Sequence, residues 1–90
     1  MVVVTTEHKG VFAGEPVGEL GKNKRIKLTD ARMCVYWSAD VYGVVGLAAT
    51  GPTKKCRVTA AAPSIVLEGV TAVMECSPAA ADAWKLGIWA

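Results

Sequence analysis

Gly46 and Gly51 stand five positions apart, with Thr53, Lys54 and Lys55 close behind (GLAATGPTKK). A glycine-rich turn of this spacing cradles phosphate when its backbone N–H groups converge on the oxygens. A lysine then reaches the terminal phosphates and a hydroxyl binds Mg²⁺. Here Pro52 occupies the lysine's place, which removes the cation and a backbone donor together. Lys54 and Lys55 come too late in the turn. The context is also reversed, because a phosphate loop runs from strand into helix. Val41, Val44, Val45 and Ala48 recur at spacings of three and four, so residues 41–50 read as a short helix running into a strand. Ser38 or Asp40 can cap it, and Gly51-Pro52 stops it. Gly43 and Gly46 weaken that helix, and a hairpin is the competing reading.

Nucleophilic and metal chemistry have little to work with. Cys34, Cys56 and Cys76 are widely spaced and contain no CxxC pair. Joined by His8 they make a Cys₃His set on paper, but without a close pair to nucleate a zinc site. Small buried hydrophobes, kept as free thiols in a reducing compartment, are the expected state. His8, in TTEHKG, reads as a turn-adjacent surface residue rather than a general base beside Glu7. The carboxylates Glu7, Glu15, Glu19, Asp30, Asp40, Glu68, Glu75 and Asp82 are scattered, and no GxSxG stretch occurs. The expectation is a protein that is not an enzyme and has no catalytic residues, no metal and no cofactor.

Charge is more informative. Residues 22–57 carry eight Lys/Arg against Asp30 and Asp40, a local net of +6 within a chain whose total is +2. If the strand at 24–29 lies beside that at 54–59, Arg25, Lys27, Lys55 and Arg57 form one basic face. Such a face attracts phosphates or an acidic protein surface. Tyr36 offers a stacking surface beside it. The competing reading is that lysines on exposed strand faces only guard edges against mispairing.

Positioning these residues requires a β-rich frame. Ninety residues make a single domain spanning 1–90, with 52% hydrophobic and 20% charged residues, too apolar for a disordered chain. VVVTT and VFAGEPV read as strands split by His8-Lys9-Gly10. Ile26 and Leu28 alternate with Arg25, Lys27 and Thr29. Met33, Val35 and Trp37 face one way, with Arg32, Cys34 and Tyr36 the other. Cys56, Val58 and Ala60 alternate with Lys55, Arg57 and Thr59, as do Ala72, Met74 and Cys76 with Val73 and Glu75. Ser77-Pro78 caps a C-terminal helix that Gly87 ends. The expected class is α+β, mostly β: a small antiparallel or barrel-like sheet with a short central helix and a C-terminal helix. Trp84 in that helix either closes the core over the sheet or joins Ile88 and Trp89 in an exposed patch for a partner or a second copy.

The longest charge-free run, Val41 to Thr53, is too short and too glycine-rich to span a membrane, and MVVVTTEHKG is no secretory leader. Surplus apolar surface is then expected to be buried between copies, in a homo-oligomer.

The wording KRIKLTDARMCVYWSADVYGVVGLAATGPTKKCRV, with GVTAVMEC and a C-terminal AW…W, resembles a family of small uncharacterised proteins encoded by tailed bacteriophages and prophages. The resemblance extends back to TTEHKGVFAG, while the ending AWKLGIWA departs from the family's proline-containing one. It transfers no catalytic role. It implies a setting, the host bacterial cytoplasm. Small size, missing catalytic groups, surplus apolar surface and the basic face, taken with that setting, lead to the expectation of an oligomeric binding protein that occupies a host macromolecule, with antagonism of a host defence as one outcome. The alternatives are sequestration of a phosphorylated or cyclic nucleotide at a basic face between subunits, a phage structural or assembly component, and, ranked behind these, a nucleic-acid-binding regulator.

Overall fold

The computed structural model describes residues 1–7, 10–18 and 24–86. Six strands and two helices follow one another as β1 (Val2–Thr6), β2 (Val11–Val17), β3 (Arg25–Tyr36), a single 3₁₀ turn (Ala39–Val41), α1 (Gly43–Ala49), β4 (Arg57–Val58), β5 (Ala62–Glu68), β6 (Val70–Glu75) and α2 (Pro78–Lys85). The mostly-β expectation holds, and the segment 41–50 contains the helix Gly43–Ala49 rather than half of a hairpin.

Every pairing is antiparallel, in the order β4-β3-β2-β1-β6, with β5 also on β3. The twelve-residue β3 organises the molecule. β2 takes one edge, while the other edge is shared by β5 along Arg25–Ala31 and β4 at Cys34–Tyr36. β5 and β6 lie at opposite ends of the sheet yet are joined by Gly69 alone, at φ +67°. A side chain resists that left-handed conformation, so glycine makes the corner. The sheet therefore curls until its two ends meet.

This curl produces two apolar clusters. Val2, Val4, Ile26, Leu28, Leu67 and Val70 fill one. Val3, Val11, Cys34, Leu47, Val58 and Trp84 fill the other, beneath the helices. β1 feeds both, which is why it reads VVV instead of alternating.

The 3₁₀ turn leads through Tyr42, at φ +62°, into α1. At the far end Gly51 adopts φ +83°, and its N–H shares the Gly46 carbonyl with that of Thr50. Gly51-Pro52 is thus a helix stop, as the phosphate-loop argument concluded. Ser77 then ties the two helices together. Its Oγ accepts from Ala80 N (3.0 Å) to cap α2 and donates to Ala49 O (2.7 Å), while its own N–H donates to Ala48 O (3.0 Å).

The structure corrects the strand reading at three points. Residues 25–29 and 32–36 are one strand, bent at Asp30, whose φ is +48°. Ile26, Leu28 and Ala31 face one cluster, and the extra residue at the bend turns Cys34 to the opposite face, beneath the helices, so Cys34 is buried and Val35 exposed, the reverse of the alternation expected. β5 was not anticipated, although Ile65 and Leu67 turn inward between exposed Ser64, Val66 and Glu68.

Candidate functional site: a basic cleft beside Tyr36

The last turn before β4 is built on Thr53 and Cys56. Cys56 N donates to Thr53 O (3.0 Å), Lys55 N to Thr53 Oγ1 (3.3 Å), and Thr53 N to Cys56 Sγ (3.4 Å). Cys56 is buried in the helix-covered core, so it anchors a turn that projects Lys55 into solvent. Val58 is buried as well, and alternation therefore sends Arg57 outward.

Arg57 stands opposite Tyr36 in the β3–β4 register. Tyr36 is about half exposed, and its carbonyl accepts from Cys34 Sγ (3.3 Å). Burial, then the neighbouring Cys56, push the Cys34 thiol up from 9.0 to about 11, against a smaller opposing contribution from the Tyr36 backbone. At neutral pH it therefore remains a protonated donor and a poor nucleophile. Burial likewise raises the Cys76 thiol, with the chain's amino group opposing. All three cysteines are free thiols.

Val35, Tyr36, Lys55 and Arg57 line an open cleft of about 580 Å³. Among the described residues its lining holds two cations, a phenol ring and no carboxylate. Such a cleft can place an anion between Lys55 and Arg57 while a planar group stacks on the ring. Val35 was missed as a site residue because it had been assigned to the core face.

Only part of the expected basic face is assembled. Tyr36, Lys55 and Arg57 come together; Arg25 and Lys27 do not join them. β5, not the segment at 54–59, lies beside Arg25–Leu28. Nine residues of strand separate Lys27 from Tyr36, up to about 30 Å. Arg25 Nε instead lies 3.6 Å from Glu68 Oε1, an ion pair with both side chains largely exposed and hence of small energetic weight. Lys27 faces solvent between Val17 and Val66.

Trp84 is not part of a partner surface. It is fully buried, and its Nε1 donates to Leu47 O (3.0 Å), so the helix closes the core. Ile88 and Trp89 lie outside the described residues. Among the described residues the most exposed large apolar side chains are instead Tyr42, Val45 and Leu86, at 88%, 69% and 75%. Among the described residues no group of three or more His, Cys, Asp and Glu could hold a metal ion, and no helix is long and apolar enough to cross a membrane. His8 also lies outside the described residues.

A family model described as a domain of unknown function matches residues 1–84. No curated protein and no solved structure matches the chain.

Proposed function

The chain belongs to the DUF6948 family, and from that premise we propose that it is a non-enzymatic binding protein whose Tyr36–Lys55–Arg57 cleft engages an anionic surface on a host macromolecule. The observation that carries this reading is the convergence of two cations and a half-exposed ring in a cleft that no carboxylate of the described residues lines. Burial of two of the three thiols deprives the fold of an accessible nucleophile there. The resemblance to phage and prophage proteins supplies the setting: a host bacterial cytoplasm, with antagonism of a defence system as the outcome of binding.

The test is affinity capture from bacterial lysate by the protein and by two charge-reversed forms. Lys55→Glu/Arg57→Glu loses the partner that the parent captures, whereas Arg25→Glu/Lys27→Glu retains it. Equal capture by all three proteins refutes the cleft as the binding surface.

A second reading is favoured by Tyr36 itself. A ring beside two cations is the arrangement that holds a nucleotide's base and phosphate. On this reading the protein sequesters a phosphorylated or cyclic nucleotide, and thermal-shift screening exposes it because a bound ligand raises apparent stability. A flat response across a nucleotide panel retires it.

Self-association is supported by Tyr42, Val45 and Leu86, since large exposed apolar groups mark contact surfaces. Native mass spectrometry of the parent and of Tyr42→Ser/Val45→Ser distinguishes an oligomer that dissociates from a protein that is monomeric throughout. The monomer refutes this part of the reading.

A further inference from the structure

A separate cavity of about 280 Å³ lies where β2, β3, the segment before β5 and the end of α2 converge, lined by Met1, Glu15, Asp30, Arg32, Ala61 and Lys85. Its lining differs in kind from that of the Tyr36 cleft, because charges of both signs face it together. Glu15 is already engaged, with Oε1 3.1 Å from the Met1 ammonium. Arg32 Nη1 reaches Thr59 O at 3.4 Å, which orients the guanidinium and leaves most of its donors uncommitted. Among the described residues Asp30, Arg32 and Lys85 form no ion pairs with one another.

The backbone is arranged to create this juxtaposition. Asp30 sits at φ +48°, a conformation that L residues other than Asn and Asp rarely adopt. The β2–β3 register slips opposite it, at Gly14, where an added Cβ would lie 2.9 Å from Thr29 O. The bend buries Ala31 and leaves Asp30 and Arg32, two positions apart, on the cavity side. An anion and a forked cation are thus side by side, with Lys85 as a second cation contributed by α2.

We propose that this cavity binds a free α-amino acid, with Arg32 and Lys85 on its carboxylate, Asp30 on its ammonium, and the side chain against Met1 and Ala61. An α-amino acid carries the two charges a few bonds apart, matching neighbouring groups of opposite sign. A simple anion meets Asp30 as a repulsive neighbour, and a simple amine meets Arg32 and Lys85. Bidentate pairing with the guanidinium gives the carboxylate a defined orientation.

Thermal-shift and calorimetric titrations with glycine, L-alanine and L-leucine test the assignment, using acetate and methylammonium as controls at equal ionic strength. At about 10 mM the amino acids raise the melting temperature and the controls do not. Asp30→Asn preserves the left-handed preference while removing the charge, and Lys85→Gln changes only an exposed side chain. Each weakens binding by roughly tenfold or more. Lys55→Glu/Arg57→Glu leaves it unchanged, so this result is independent of the cleft at Tyr36. No shift with any amino acid, an equal shift with acetate or methylammonium, or unaltered affinity in Asp30→Asn overturns the proposal.

Discussion

Replacing Ser77 by alanine removes one oxygen that serves two helices. Ser77 Oγ accepts from Ala80 N at the start of α2 and donates to Ala49 O at the end of α1. Loss of an N-cap acceptor costs about 1 kcal/mol. The donated bond lies at the surface, where water can replace it on the Ala49 carbonyl, so its loss adds about 0.5 kcal/mol. The backbone bond from Ser77 N to Ala48 O survives the substitution. The expected total is about 1.5 kcal/mol, or a fall in melting temperature of about 6–12 °C for a domain of this size. Thermal unfolding followed by circular dichroism, with urea titration for the free energy, measures it. Ser77→Thr keeps both bonds and stays near the parent, while Ser77→Asp keeps the acceptor but loses the donor and falls between. A fall below about 3 °C in Ser77→Ala, or an equal fall in Ser77→Thr, would refute the two-helix role.

Three further outcomes follow from the same structure. A Cβ at Gly46, inside α1, would overlap the Val41 carbonyl oxygen, so Gly46→Ala destabilises by more than about 3 kcal/mol; Gly18→Ala, at φ +77° but with open space around it, costs only about 1 kcal/mol, as urea titration of the pair will show. The Cys34 thiol is raised from 9.0 to about 11 in the folded protein, so its stabilisation is fully present below pH 9 and is lost as pH rises through 11. Denaturant titrations across that window show the decline, and Cys34→Ala flattens it. Tyr36→Ala leaves stability within about 1 kcal/mol, because the ring is half exposed, yet abolishes capture of the partner; retained capture removes Tyr36 from the site.

Helix ends are legible where local chemistry decides them, although α1 starts from Tyr42 with no side-chain cap, and neither Ser38 nor Asp40 caps it. Gly51-Pro52 stops α1 because only glycine takes φ +83° easily, and Ser77-Pro78 starts α2 because a hydroxyl and a preset φ suit that position. VVVTT and VFAGEPV form strands within the expected limits. What escaped depends on distant partners. The bend at Asp30 has no glycine or proline to announce it, and it turns Cys34 to the opposite face of the sheet from Ile26 and Leu28, beneath the helices. The seven residues of β5 include Pro63 and Ser64, which masked the inward pair Ile65 and Leu67. Missing that strand placed the wrong neighbour beside Arg25 and Lys27, so a basic face was expected where the fold separates the charges. Trp84 had two readings on sequence alone, and its bond to Leu47 O belongs to tertiary contact between helices.

The position of β1 constrains the order in which the molecule can assemble. β1 pairs with β2 through a short connection, but its other edge pairs with β6, matching Val2 to Glu75 across most of the chain. A nascent chain leaving the ribosome therefore presents a three-valine strand that can satisfy only one edge until residues 70–75 have been made. Contacts of such sequence separation form slowly, because the intervening chain must be ordered before they contribute. The two apolar clusters share this strand, so neither is complete in a truncated chain that lacks β6. Synthesis of β6 is thus the step that permits both clusters to close. A hydrophobic N-terminal segment awaiting its second partner is the point at which a chaperone would act.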